Sequence, residues 1–352
     1  MWVSIYSVGV GFNIGQSMSV QPAILSCILG YLIAGIIAAL VGDIGRKHGL
    51  SSYVIAKCPL GWAGQLILAL LQFIVAGFAS VGLQADAVGR TITATFASLQ
   101  PWQCIVSAVV CGLMMFSAIK GVKYMSIISW ITMPFFFIIS IIAVCITIGN
   151  SGGLATVLSL TNDTPTITFM EAVFLNAGSW AGFVMLMPDV SRFLESRKVC
   201  FTITPVAFLV GSIPPIIGVI LGATTGVELS QVFVTLGIGV IGAATGLGQA
   251  GFFTALSGFL GSFNMSLCGV LIAHYYIVSR TGYIQPKGLA GVLSWLSISL
   301  LTYFGILPVP VITATISAFI LYLILYYGVE KRLFGEKVED SIKPKLFRPA
   351  SD

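Results

Sequence analysis

What this chain has least of is charge. Of its 352 residues only 8% are Asp, Glu, Lys or Arg, whereas a soluble domain carries roughly 25%. Hydrophobic residues make up 57%, and mean hydropathy is +1.02. So little charge excludes an ordinary soluble globule and points to an integral membrane protein. There are only 2 histidines, His48 and His274. No His-Glu-x-x-His run and no nucleophile elbow is present, so an enzyme is not expected. No ring of pore-lining charge and no filter motif appears, which argues against a channel. The 7 cysteines are Cys27, Cys58, Cys104, Cys111, Cys145, Cys200 and Cys268. They form no CxxC pair, sit mostly in apolar runs and read as small buried hydrophobes, with no metal or disulfide implied. The net charge of +5 concerns orientation and is no sign of a nucleic-acid partner. The apolar start lacks a charged leading segment, so no cleavable signal peptide is expected.

What is there is a series of apolar runs long enough to span a bilayer, about 20 residues each. Met1 to about Val20 is apolar and Gly-rich, with Gly9, Gly11, Asn13 and Gly15. Ala23 to Val41 is a clean span. A long helix from about Trp62 to Ala94 is interrupted by Gln72, Gln84, Asp86 and Arg90, the last two spaced to pair along one face. Gln103 to Ile119 and Tyr124 to Ile148 form two tight spans. Further spans run from Val199 to Ala223 and from Phe252 to Val278, and Leu289 to Ile306 with Val309 to Gly328 makes a final hairpin. From Glu330 the chain reads as a charged, disordered tail.

Basic residues set the orientation. Arg46, Lys47, Lys57, Lys120, Lys123, Arg192, Arg197, Lys198, Arg280, Lys287 and those of the tail fall on one side. Of the 17 basic residues only Arg90 falls on the other. The segment Gly149 to Ile167 has no Lys or Arg and reads as external. One parity fails: residues 232–249 and 252–278 have to run in the same direction across a two-residue link. Either the first does not span, or a span is absent between Gln249 and Phe252.

The stretch that organises the rest is NAGSWAGFVMLMPDVSRF, Asn176 to Phe193. It is introduced by a capping-box pattern, Thr168-Phe-Met-Glu171. Gly178, Ser179, Trp180 and Gly182 fall where a spanning helix is at mid-depth. One reading is a broken helix whose freed backbone lines a polar cavity, the device by which transporters hold substrate. The other is a packing face of the small-xxx-small kind, Gly178 to Gly182, against a neighbouring helix. Asp189 and Arg192 read as an ion pair or gate at the inner end.

Three stretches carry a resemblance that covers nearly the whole chain. GDIGRKHGLSSYVIAKCPLGWAG resembles the loop between the second and third helices of the nucleobase:cation symporters, the cytosine, purine, uracil, thiamine and allantoin permeases. GSWAGFVMLMPDVSRF resembles their sixth helix. GFLGSFNMSLCGVLIAHYYI resembles their tenth, with His274 where that family has an acidic residue. The chain looks most like bacterial cytosine permeases. The resemblance implies an all-α, leucine-transporter-like inverted-repeat bundle of about 10–11 transmembrane helices, the first and sixth unwound at their centres. Gly9 to Gly15 and Gly178 to Gly182 are the paired unwound regions on this reading. The transmembrane domain is then 1–329, with a first repeat over 1–148, an incomplete second repeat over 168–279 and the hairpin over 289–328. Residues 330–352 form a cytoplasmic tail. Relative to the pattern, the chain begins almost at the first helix's unwound point. It also lacks the run that follows Gln249 and the ninth helix after it, at the place where the charge parity fails.

The implied function is import of a nucleobase or related heterocycle across a bacterial inner membrane, coupled to a cation, with the C-terminus cytoplasmic. A shortened, non-transporting relative is the alternative. A flat ring with a hydrogen-bonding edge needs an aromatic face and a few donors and acceptors. Trp180 is the candidate face, its bland alternative being an interfacial or packing tryptophan. Ser179 and the backbone at Gly182 are candidates for the ring edge. Gln249 offers an amide, or is a helix-end polar residue. Gln72 reaches in from the third helix on this reading, although Ala76 and Ala79 stand where cytosine permeases have Gln and Trp. No bound cofactor is implied beyond the coupling ion, Na+ or H+. For sodium, five or six oxygens are needed, with backbone near Ser4, Ile5 and Ser7 as candidates. For protons, His274, Asp86 and Glu171 are candidates, His274 reading otherwise as a snorkelling or capping group. The partners implied are the ring and the lipid bilayer.

Overall fold

With no water in the hydrocarbon layer, an apolar run must satisfy its backbone internally, which a helix does. The computed structural model describes residues 5–72, 96–119, 122–162, 164–225, 250–278, 288–307 and 310–334, with positions 85, 89, 92 and 93. Among the described residues there is helix and no strand. The helices are α1 Ile5–Ser17, α2 Val20–His48, α3 Ser52–Gln72, α4 Gln103–Ile119, α5 Val122–Asn150 and the short α6 Leu154–Leu158. Then come α7 Phe169–Ser179, α8 Ala181–Met185, α9 Met187–Ser191, α10 Arg197–Gly211 and α11 Ile213–Thr225. The last are α12 Ala250–Ala273, α13 Leu289–Tyr303, α14 Pro310–Leu325 and α15 Lys331–Phe334. Among the described residues, five helical segments are long and apolar enough to cross a membrane: Val20–His48, Ser52–Gln72, Arg197–Thr224, Ser257–Val278 and Val311–Leu333. The protein is a multi-pass membrane protein. On α14, Ile312, Ile316, Ile320 and Ile324 are exposed while Ala314, Ala318 and Tyr322 are buried, as is Tyr326 just beyond it. An apolar stripe turned outward at four-residue spacing is the mark of a helix solvated by lipid.

The chain forms two units. The first holds residues 1–35, 72–180 and 205–261. Its centre is the crossing of α1 and α11, built on two Gly-x-x-x-Gly pairs. A Cβ on Gly11 would lie 1.9 Å from the carbonyl oxygen of Pro215, and one on Gly218 would lie 2.1 Å from that of Val8. Gly15 and Gly222 meet Val219 and Phe12 as closely. Each helix thus sets its glycines against the other's backbone, the close approach that small residues permit in membranes. This explains a departure from the sequence reading. The glycines between Gly9 and Gly15 do not unwind the first helix, which is continuous from Ile5 to Ser17; they are spent on packing. Val10, Ile14, Met18, Val20, Ala23 and Cys27 join Ala172 and Val219 in the core beside this crossing.

The second unit holds residues 36–71, 181–204 and 262–352. Here α3 bends at Gly61, whose φ of 66° suits glycine alone. Asp43, 5% exposed, accepts from Arg46 at 2.8 Å, from Arg197 at 3.3 Å and from the Tyr276 hydroxyl at 3.1 Å. Asp189 does not pair with Arg192 as expected. It accepts from the Ser52 hydroxyl at 2.5 Å and the Ser52 N–H at 3.3 Å, satisfying donors at the start of α3. Arg192 instead lies over the Phe193 ring at 4.8 Å.

Glu330 is not the start of a disordered tail. It is buried and accepts from the N–H groups of Gly288 and Ala290, both at 2.9 Å, so it caps α13, and helix continues to Phe334. The cysteines divide: Cys27, Cys58, Cys200 and Cys268 are buried as expected, whereas Cys104 and Cys145 are exposed. Residues 226–249, with the disputed span, lie outside the described residues, as do Asp86 and Arg90.

The crossing of α1 and α11 gives a stability test. Gly11→Ala is expected to cost about 1–3 kcal/mol or more, because backbone rather than a flexible side chain occupies the space. Gly112→Ala, whose Cβ meets nothing within 4 Å, is expected to be neutral or slightly stabilising. Thermal unfolding of the purified protein in detergent reads both.

Candidate functional site

The site starts from the helix Phe169–Ser179. Thr168 caps it: its Oγ1 accepts from the Glu171 N–H at 3.3 Å, and the Glu171 carboxylate accepts from the Thr168 N–H at 2.7 Å. The expected capping box is therefore formed. The helix then stops at Trp180, whose φ of −106° and ψ of 4° fall in the sparsely used bridge region. A second break at Leu186, φ −85° and ψ 2°, separates α8 from α9. The helix is broken as the sequence suggests. The packing alternative holds for one of its two glycines. A Cβ on Gly178 would come 2.7 Å from the Ser257 carbonyl oxygen, while one on Gly182 would meet nothing within 4 Å.

Trp180 is 3% exposed. Its indole N–H is shared by two acceptors, the Ser7 hydroxyl at 3.0 Å and the Tyr31 hydroxyl at 2.5 Å. The rings of Tyr31 and Phe208 meet it edge-on, with centroids 6.2 and 6.4 Å away. One turn earlier, Asn176 is wholly buried. Its Nδ2 donates to the Ala172 carbonyl at 2.9 Å and to the Ser26 hydroxyl at 3.2 Å. Its Oδ1 has no partner among the described residues. Two polar rungs therefore tie α7 to α2, Asn176 to Ser26 and Trp180 to Tyr31, with Ser7 of α1 joining the second. A buried indole, two serines, a phenol and a carboxamide make a compact polar cluster in an apolar bundle. Such a cluster brings an aromatic ring and both kinds of hydrogen-bonding group together at the helix break.

The candidates from sequence fall differently around it. Ser179 is half-buried; its hydroxyl donates to the Asn176 carbonyl at 2.7 Å, bracing its own helix, and it also hydrogen-bonds the Tyr31 side chain, so it joins the cluster. Ser7 belongs to the cluster, but by its side chain. Ile5 and Ser7 lie in regular helix, where backbone carbonyls accept from residues four further on, so the freed carbonyls expected for a cation are not seen there. Gln72 is buried at the end of α3. Gly182 falls in the second unit. Ser4 and Gln249 lie outside the described residues. The sequence reading missed Tyr31, Asn176, Ser26 and Phe208. Asn176 carried a usable signal, since a lone amide four residues before a tryptophan shares its helix face. Tyr31 carried none that sets it apart within an apolar span.

The permease family for cytosine/purines, uracil, thiamine and allantoin matches residues 1–236. The chain belongs to this family. Cytosine permeases of Escherichia coli strains K12 and O157:H7 are each 27% identical to it over 240 residues, which is 66% of this chain and 55% of theirs. The chain thus spans about half the length of these relatives. Among solved structures, Mhp1, a nucleobase-cation-symport-1 family transporter, is similar in its closed conformation with bromovinylhydantoin bound. The TM-score is 0.73 at 15% identity, over 97% of this chain and 92% of that one. The inward-facing conformation of Mhp1 also gives 0.73, at 16% identity, over 100% and 93%. The fold of this permease-family chain is therefore the leucine-transporter-like inverted-repeat bundle.

The shared indole hydrogen bond is measurable. Trp180→Phe and Tyr31→Phe are each expected to cost about 1–2 kcal/mol of stability. Because they remove the same bond, the double variant is expected to lose less than the sum, by at least about 0.5 kcal/mol. Unfolding of the four proteins in detergent closes the cycle, and strict additivity contradicts the geometry.

Proposed function

We propose that the protein is a secondary active transporter that imports a nucleobase or related small heterocycle by cation-coupled alternating access. The observation that carries this reading is Trp180, a flat aromatic at a helix break, hydrogen-bonded to Ser7 and Tyr31 and one turn from the Asn176 side-chain carbonyl, which has no partner among the described residues. A planar ring with N–H and C=O groups on its edge matches that surface. Membership of the cytosine and purine permease family supports the same substrate class. The two breaks at Trp180 and Leu186 are hinge positions at which a helix can bend while its halves stay rigid. Sodium or protons drive the cycle, and the protein resides in a bacterial inner membrane with its basic C-terminal segment in the cytoplasm.

The competing reading is a shortened relative that inserts without transporting. What favours it is the internal gap expected after Gln249, where two successive apolar runs would have to cross in the same direction. One experiment separates the two. Cells expressing the chain are given labelled cytosine, uracil, hypoxanthine or allantoin, with and without a sodium gradient. At least one ring is expected to accumulate. Trp180→Ala is expected to abolish that uptake and Trp180→Phe to reduce it. Absence of uptake of every ring, with the protein present in the membrane, sinks the transporter reading.

A further inference from the structure

The sequence offers His274 either as a proton carrier or as a snorkelling or capping group at a helix end, and its burial excludes snorkelling. It is 0% exposed. It stands at the first residue of a π-helical turn, His274–Val278, that extends α12. Its Nδ1 lies 2.7 Å from the Tyr322 hydroxyl of α14. Its Nε2 has no partner among the described residues. Either tautomer leaves one nitrogen unmet. If Nδ1 accepts from Tyr322, an N–H at Nε2 has no acceptor; if Nδ1 donates, Nε2 is a bare lone pair.

The surroundings contain titratable groups but no counter-ion for the ring. Tyr275, on its own helix, meets the imidazole edge-on with centroids 5.1 Å apart, and the Tyr322 ring does so at 5.9 Å. Tyr326 stacks on Tyr322. Cys58, Tyr327 and Glu330 lie beyond, around Tyr322, with Glu330 held by the α13 N-terminus. Among the described residues no charged side chain pairs with His274. The helix of Tyr322 also runs into a π-helical turn, Tyr326–Glu330. Single π-turns recur at functional sites, and an ionisable residue inside a membrane bundle marks an ion or proton path by default.

We propose that His274, with Tyr322, is the proton-binding site through which a proton gradient drives this transporter. The proposal rests on the transporter reading above. In the packed state described here the imidazole is neutral, because an unpaired charge in a dry interior is costly. Protonation adds one H+ to whichever ring nitrogen carries the lone pair, giving an imidazolium with N–H at both nitrogens that donates through Nδ1 to the Tyr322 oxygen, whose own O–H turns away. That form is favoured in a conformation that admits water to the ring. The proton therefore biases the conformational equilibrium by its differential affinity for the two states, and it leaves as H+ when the ring dries again.

The test uses the whole chain in liposomes, with labelled cytosine, uracil, hypoxanthine and allantoin as probes. An inward proton gradient of about one pH unit is expected to drive accumulation of one ring up to about ten-fold at one proton per ring. In His274→Gln, which keeps a polar side chain without titrating, the ratio of gradient-driven accumulation to ring-for-ring exchange is expected to fall by about that factor. Tyr322→Phe is expected to lower it partially. Accumulation by His274→Gln at the ratio of the parent chain overturns the proposal, as does accumulation that follows sodium and ignores the proton gradient.

Because the chain has only 2 histidines, His48→Gln leaves His274 alone for side-chain NMR. Its ring-nitrogen resonances are expected to report a protonated form on acidification when a transported ring is present and the neutral form in its absence. A ring nitrogen that stays neutral throughout overturns the proton site even if transport is robust. Failure of the parent chain to move any ring, by contrast, removes the transporter reading beneath the proposal, and the proposal falls with it.

Discussion

One indole N–H ties three helices of the first unit together. Trp180 donates to Ser7 of α1 and to Tyr31 of α2 from the point where α7 stops. A helix that breaks in a bilayer leaves polar groups with no water to turn to, and only protein can meet them. The backbone at the break is met locally, by the Trp180 N–H on the Ala177 carbonyl and the Ser179 hydroxyl on the Asn176 carbonyl, while two neighbouring helices bring hydroxyls to the indole N–H and Ser26 accepts from Asn176 one turn earlier. In this cluster, among the described residues, Asn176 Oδ1 has no partner, and on the proposed reading it is the group that a polar ligand would satisfy.

Tight backbone approach makes that arrangement possible. Ser7 reaches Trp180 because α1 is pressed onto α11 through Gly11, Gly15, Gly218 and Gly222. In membranes lipid tails are as apolar as leucine, so helices associate by close packing and shared hydrogen bonds rather than by hydrophobic exclusion. The second unit uses charge instead. Asp43 gathers Arg46, Arg197 and Tyr276, Asp189 holds Ser52, and Glu330 caps α13. Each carboxylate meets a donor set contributed largely by other elements.

The broken helix was legible in the sequence because a capping box, two glycines and a tryptophan punctuate one apolar run, and each of those residues acts locally. The class of fold was legible from the lack of charge and the lengths of the runs. What was not legible depends on partners far away in the chain. Gly-x-x-x-Gly in the first helix reads equally as a place to unwind or a place to pack, and only Gly218 and Gly222, some two hundred residues on, decide it. Asp189 looked like the partner of Arg192 because the two are close in sequence, yet Ser52 claims it across 137 residues. His274 looked like a helix-end residue because the π-helical turn that buries it has no signature in sequence. Tyr31 is an ordinary phenol in an apolar span until the fold sets it against Trp180.

The central claim is that the Trp180 cluster binds a planar heterocycle. Its most direct test is ligand-dependent tryptophan fluorescence of the purified chain, titrated with cytosine and the other candidate rings. The account predicts a saturable change that disappears in Trp180→Phe and persists in Trp62→Phe, whose indole is 70% exposed and outside the cluster. A saturable change that survives Trp180→Phe unaltered would contradict the placement of the site.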